Sequence, residues 1–474
     1  MQSGTSLLSR LAQRCCVWAE RWFPDAFAFA VLMVGIVSVG ALFYGVAPKV
    51  IVSNFGSGFW NLIPFTMQMS FVIIGGYVTA DSPPVARLIQ HIAAMPRSGR
   101  GAVTLVAFVA MLLSLVHWGL SMIFASLLVR ALAGRSELRM DYRAAAAAAF
   151  LGAGSVWAMG LSSSAAQLQA NPASMPASLL AITGVIPFSE TIFIWQSYVV
   201  TVVLFVVSAW VAWTSAPGDQ TAQTARQLGI AVGARDHALP ARTRPGEWLE
   251  YSPLLNLLLV ALGGAWLWNE FASKGAVLAI SSLNTYNLIF IMLGLLLQWR
   301  PRRFLDAVGR GVPSIAGVLV QFPLYGAIAA ILSTATNANG STPSKFISEQ
   351  LLRFTSTDSF AVVVGAYSAV LGLFLPSAGG KWLVEAPYVM QLANDLKYNL
   401  GWAVQIYNAA EALPNLINPF WMLPVLGVLG LKARDLIGYT FVQFIVHLPL
   451  VLFLLWILGR TLGYHAPVMP VAAP

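Results

Sequence analysis

Phe374-Leu375-Pro376-Ser377-Ala378-Gly379-Gly380-Lys381-Trp382 opens a stretch that Asn408-Ala409-Ala410-Glu411-Ala412-Leu413-Pro414-Asn415-Leu416-Ile417-Asn418-Pro419-Phe420 closes. Both ends set helix breakers, small residues, amides and isolated charges within sequence otherwise apolar enough for a bilayer, where each unpaired backbone group costs several kcal/mol. No structural need alone asks for such residues there. Helices interrupted at membrane depth are how secondary transporters present helix ends and carbonyls to a substrate and its coupling ion. The stretch therefore predicts a carrier.

The remainder of the chain agrees on the class. Its 474 residues are 58% hydrophobic and 9% charged, with a mean hydropathy of +0.73. That is more apolar surface than a soluble domain can bury, so the expected fold is an all-α polytopic membrane protein. The net charge of +9 is spread over short loops between apolar runs, a pattern that orients helices and meets anionic lipid headgroups. Membrane lipid is thus an expected partner and nucleic acid is not. Cys15 and Cys16 are sequence neighbours, which rarely pair or bind metal alone. No cofactor is expected, and no cleavable signal peptide is evident ahead of the first full-length apolar run.

Residues 1–24 predict an interfacial amphipathic helix, with Leu7, Leu11, Cys15, Trp18 and Trp22 on one face. Residues 25–214 predict a first transmembrane repeat. Phe27–Val46 and Phe59–Thr79 are uncharged and long enough for a hydrocarbon core of about 30 Å. A re-entrant hairpin over 101–133 is broken at Val116–Ser121, a discontinuous helix over 142–170 is broken at Met159–Ser164, and Thr191–Trp213 crosses again. Residues 215–250 read as a polar cytoplasmic linker and 251–282 as a connecting helix. Residues 283–460 predict a second repeat: spans Leu283–Trp299 and Val312–Ile331, a hairpin over 360–396, a discontinuous helix over 398–431 broken at Leu413–Pro419, and Leu436–Leu458. Residues 461–474 are a tail. The total is about nine crossing helices plus two hairpins.

Two checks support this layout. With a cytoplasmic N-terminus and non-crossing hairpins, twenty of the 27 basic residues fall inside; Lys49, Lys274, Lys345, Arg353, Lys381, Lys397 and Arg460 do not. Second, Gly56, Gly58 and Gln68 match Gly309, Gly311 and Gln321 at one ungapped offset of 253. Each glutamine-containing span precedes a hairpin and then a broken helix. Five crossings separate the starts of the two units, and an odd number makes the repeats inverted. Inverted repeats with broken helices place a transport site at the pseudo-twofold, near the midplane.

Candidate site residues cluster at the breaks. Ser377, Ala378, Gly379 and Gly380 offer backbone donors at a helix start, where a carboxylate would sit, or else permit tight packing. Ser162, Ser163 and Ser164 could give hydroxyls to the same anion or carbonyls to a cation. His117 is either a proton carrier or a histidine bonded to nearby carbonyls. Glu411 is a candidate for the coupling proton or for Na⁺, or is structural. Lys381 and Glu385 are four apart, so they either neutralise each other or Lys381 adds charge to the anion site. Asn415 and Asn418 offer amides where the helix opens, and Ser164 with Asn415 is the pair considered for Na⁺. Gln68 and Gln321 satisfy backbone or each other.

Enzyme motifs are poor by comparison: no Gly-x-Ser-x-Gly, His-Glu-x-x-His or Walker sequence occurs. A membrane hydrolase built from a serine at 162–164 and His117 is the competing enzyme reading. A channel would call for a continuous polar pore rather than paired hairpins.

Gly58-Phe59-Trp60-Asn61-Leu62, Met67-Gln68-Met69, Leu319-Val320-Gln321-Phe322-Pro323-Leu324-Tyr325, Pro376-Ser377-Ala378-Gly379-Gly380-Lys381-Trp382 and Asn418-Pro419-Phe420-Trp421 occur in that order. On these the chain resembles the bacterial short-chain fatty acid transporters associated with acetoacetate and butyrate uptake. The resemblance implies inner-membrane symport of small monocarboxylates with H⁺ or Na⁺, and kinship with a wider group of organic-anion carriers that form homodimers with elevator-like hairpins. The chain departs from the family pattern at Lys381, where a histidine is usual, at Glu385, usually a neutral amide, and at His117, usually an asparagine. An added Lys381 charge makes a dicarboxylate the alternative substrate.

Overall fold

The computed structural model describes residues 7–22, 26–172, 175, 177–232, 239–376 and 378–469. Ser377, within the hairpin tip singled out above, lies outside them. Every described element is helical apart from an isolated bridge between Gly184 and Val468. Among the described residues six helices are long and apolar enough to cross a membrane: Pro48–Ala80, Tyr142–Ala170, Trp195–Ser215, Leu254–Lys274, Pro301–Ser333 and Ala433–Gly459. Leu400–Asn415 and Pro419–Leu429, bent by 76°, add a broken span, and Phe27–Phe43 and Leu283–Gln298 are shorter apolar helices. Six helices and the broken pair give up to seven spans by length and composition, and Phe27–Phe43 and Leu283–Gln298 fall at the other two of the nine expected crossings.

The repeat is visible in the element bounds. Pro48 to Pro301, Ile63 to Ala316, and Ala80 to Ser333 are each 253 residues apart, and each pair begins or ends matching helices. Proline opens the first helix of each unit, where its missing N–H costs nothing. Each unit then runs through a hairpin, a broken helix and a straight span. The hairpins are Gly99–Ser114 with Trp118–Ala133, and Phe360–Phe374 with Ala378–Asp395. Gln68 and Gln321 do not pair: Gln68 donates to Asn284 Oδ1 at 2.8 Å.

Burial separates centre from rim. All residues of Leu400–Asn415 and of Tyr142–Leu151 are buried, whereas Leu254–Lys274 buries only Asn256. Its narrow inward face, Asn256 on the Leu295 carbonyl and Gly263 against Met292, leaves most of an apolar helix facing outward, as suits lipid. On Leu7–Trp22, Leu7, Trp18 and Trp22 are exposed while Ser9 and Ala12 are buried against the protein.

Local chemistry explains both breaks. In the first broken helix Asp141 caps the start, accepting from Ala144 N at 2.8 Å. Gly152–Val156 then widens to a π turn, followed by a 3₁₀ turn at Trp157–Met159. Gly152 permits the approach of the first hairpin, because a Cβ there would stand 2.5 Å from the Ala110 carbonyl and 2.7 Å from Ser121 Oγ. Gly152→Ala is therefore expected to cost about 1–3 kcal/mol through overpacking, read as a lower melting temperature in detergent. In the second broken helix Pro414 removes one intrahelical donor, and Pro419 starts the next turn behind its cap Asn418.

Two segments differ from the sequence expectation. The basic loop after the second span contains a helix, Pro83–Ala94, and the polar loop after Ser333 contains Pro343–Leu352. The linker is fastened rather than loose: Gln223 N donates to Asp141 Oδ2 at 2.9 Å, and Tyr142 N donates to the Gln223 carbonyl at 2.9 Å.

Candidate functional site

Three helix starts meet around one cavity of about 180 Å³. Trp118 begins the second arm of the first hairpin, Ser164 begins the helix after the first break, and Ala378 with Gly379 begins the second arm of the second hairpin. A helix start carries partial positive charge, which favours an anion, although side-chain caps already take Trp118 N and Leu120 N at the first start and Ala166 N at the second. Ala153, Trp157, Asn415 and Trp421 from the two broken helices complete the wall, with Tyr286, Leu283, Met69, Leu168 and Ile280.

Three of the buried polar atoms that lack partners belong to residues of this wall. Asn415 Nδ2 donates to the Ala153 carbonyl at 3.1 Å. Its Oδ1 and the indole nitrogens of Trp157 and Trp421 are buried with no hydrogen-bond partner among the described residues. Two indole N–H donors and one amide acceptor therefore remain for a ligand. Neither tryptophan was singled out as a site residue from sequence, although Trp157 lies two residues before the Met159 break.

The remaining candidates do other work. Ser162 donates to the Ser114 carbonyl at 2.7 Å and accepts from Trp118 N at 3.1 Å, bracing the first hairpin at the cavity edge. Ser163 caps the following helix, accepting from Ala166 N, and donates to Asn408 Oδ1 at 2.9 Å. His117 caps the Trp118 helix, its Nδ1 accepting from Leu120 N at 2.9 Å, with its ring stacked on Tyr286. Asn418 accepts from Phe420 N and donates to the Leu373 carbonyl at 2.9 Å, tying the second break to the second hairpin. Gly380 is exposed in the first turn beyond Gly379.

Lys381 points away from the cavity into a buried ionic cluster. Its Nζ lies 2.5 Å from Glu411 Oε2 and 3.6 Å from Glu385 Oε2. It also donates to the Ser368 carbonyl at 2.7 Å and hydroxyl at 2.8 Å. The ammonium stands 4.5 Å from the Tyr407 ring centroid, and the Tyr407 hydroxyl donates to the Ala378 carbonyl. The expected Lys381 to Glu385 pairing is thus present but secondary. Glu411 is nearer because the second broken helix crosses the hairpin there. Ser368 carries no sequence signal; only the folding of the hairpin brings it to Lys381.

Comparison with known proteins is consistent across the chain. The short chain fatty acid transporter family profile matches residues 7–458. A relative from Escherichia coli (strain K12), named for short-chain fatty acid transport, is 32% identical over 435 residues, covering 91% of this chain and 96% of its own. One from Haemophilus influenzae, named likewise, is 28% identical over 452 residues, covering 94% and 98%. The solved MtrF of Neisseria gonorrhoeae aligns at a TM-score of 0.49 and 14% identity, over 96% of this chain and 99% of its own. The chain belongs to the short chain fatty acid transporter family.

Proposed function

We propose that this multi-pass membrane protein is a secondary carrier of small monocarboxylates, acetoacetate and butyrate among them, across the bacterial inner membrane, driven by a gradient of H⁺ or Na⁺. The observation that carries the reading is the convergence of three helix starts and two partnerless indole N–H groups on one small cavity. Those donors suit a carboxylate head, and Met69, Leu168 and Ile280 suit a short alkyl tail. At about 180 Å³ the space is well below the roughly 300–1,000 Å³ of drug-sized pockets, which favours an acid of a few carbons. Lys381 is held by Glu411 and is not free to meet a second carboxylate, so the monocarboxylate is preferred to the dicarboxylate. The distribution of basic residues supports a cytoplasmic N-terminus, the odd number of crossings supports inverted repeats, and the lipid-facing rim leaves surface for a homodimer.

The test is uptake of labelled butyrate into proteoliposomes under a proton gradient and, separately, a sodium gradient. One gradient should drive accumulation. Folded protein that takes up neither butyrate nor acetoacetate with either ion would overturn the reading. Trp157→Phe and Trp421→Phe should each raise KM about tenfold, the worth of one charge-assisted hydrogen bond of about 1.5 kcal/mol, while leaving the melting temperature unchanged.

A further inference from the structure

We infer that Glu385, rather than Glu411, holds the proton that travels with the carboxylate. The inference rests on the carrier reading and names its coupling ion and residue. Lys381, Glu385, Glu411 and Ser368 are all essentially inaccessible to solvent. The cluster holds one cation and two carboxylates. Neighbouring elements add no further charge. Phe360–Phe374 contributes Ser368 and Leu400–Asn415 contributes Tyr407 and Glu411. The helices Ser164–Ala170 and Ala177–Thr183 contain no ionisable side chain, and Lys345 and Glu349 of Pro343–Leu352 are half-exposed and lie 3.8 Å apart from each other. A second buried carboxylate without a counter-ion is costly enough to take a proton instead.

Geometry selects which one. Coulomb energy falls inversely with distance, so the ammonium at 2.5 Å favours ionised Glu411 about 1.4-fold more than ionised Glu385 at 3.6 Å. Glu385 Oε2 accepts only a neutral hydroxyl, that of Ser368 at 3.2 Å. Its Oε1 is buried with no hydrogen-bond partner among the described residues, as are both oxygens of Glu411, so the distance to the ammonium is what separates the two acids, and Oε1 is the Glu385 oxygen open to the proton.

The cluster is one turn from the ligand. Ala378 and Gly379 line the cavity, and Lys381 follows in the same helix turn. Tyr407 bridges the two, with its ring beside the ammonium and its hydroxyl on the Ala378 carbonyl. An anion entering the cavity adds negative charge at the start of the helix whose next turns carry Lys381 and Glu385, which favours protonation of the carboxylate that the ammonium holds less closely. By linkage the proton tightens anion binding to the same degree. One carboxylate and one proton are bound together and released together, and no net charge is carried.

Purified protein in detergent is titrated with butyrate in weak buffer, with proton uptake read by a pH indicator and binding read by quenching of the tryptophan fluorescence. The wild type should take up about one proton per butyrate, and its affinity should rise up to about tenfold per pH unit as pH falls through the titration. Glu385→Gln should bind butyrate as the wild type does at acid pH, with no proton uptake and no pH dependence. Proton uptake persisting in Glu385→Gln, or wild-type binding without uptake, would overturn the inference. Absence of butyrate binding by the wild type would instead overturn the carrier reading. The choice between the two acids is read from Glu385→Asp and Glu411→Asp: the former should displace the pH midpoint of uptake more, and the reverse order would assign the proton to Glu411.

Discussion

Lys381→Met is expected to destabilise the folded protein by about 3–5 kcal/mol, the usual cost of removing one partner from a buried ion pair, and to abolish gradient-driven uptake. The reason is local. Without the ammonium, Glu385 and Glu411 face one another in a site with no solvent access, and the Ser368 carbonyl and hydroxyl both lose a donor. Lys345→Met provides the control. Its partner Glu349 is 3.8 Å away and both side chains are half-exposed, so its loss should cost no more than about 1 kcal/mol. Combining Lys381→Met with Glu385→Gln and Glu411→Gln should recover much of the lost stability, since the three residues act as one unit and their effects are not additive. Transport driven by a gradient should stay absent, because the cluster can no longer exchange a proton. The measurement is the melting temperature in detergent for the single variant, the control and the triple variant. A single variant as stable as the wild type would mean that the cluster holds no charge to compensate.

How much of this was readable beforehand follows from the range of each interaction. Crossing helices were legible because a bilayer demands uncharged runs of fixed length, and the breaks because glycine, proline and serine within such runs have few other uses. The 253-residue repeat was legible from three residues and recurs in the helix bounds from Pro48 to Ser333. Pro83–Ala94 was not, because its prolines read as loop signals although they occupy the first helical positions. Within the site, Ser162, Ser164, Ala378, Gly379 and Asn415 do line one cavity. Ser162, Ser163, His117 and Asn418 carry side chains that also suit helix caps and turns, and in the fold their hydrogen bonds serve mainly that purpose. The spacing of Lys381 and Glu385 gave their pairing, but the closer approach of Glu411 depends on how two distant helices cross. With sixteen tryptophans in the chain, nothing local marks Trp157 and Trp421 as cavity residues with partnerless indoles, and among the described residues Trp382 has a buried partnerless indole as well.

Gly379→Val is expected to lower butyrate uptake on the order of a hundredfold, the scale on which a displaced substrate loses reactivity or fit, with little change in melting temperature. A Cβ at Gly379 would meet Ser164 Cβ at 3.6 Å and Leu168 Cδ1 at 3.8 Å, both ordinary contacts. Gly379→Ala should therefore fold normally and raise KM only a fewfold. Valine adds two methyl groups to that Cβ, at a lining position of the cavity beside Ser164 and Leu168, where the proposed carboxylate site lies. Helix propensity cannot account for such a difference, since valine is a better helix residue than the glycine it replaces. A second comparison separates a blocked head site from a shortened tail site. If the methyls occupy the head site, acetate and butyrate lose affinity alike in Gly379→Val; if they only shorten the cavity, acetate is spared. Unchanged butyrate affinity in folded Gly379→Val would place the anion away from this junction, and with it the coupling path through Ala378 and Tyr407 to Lys381.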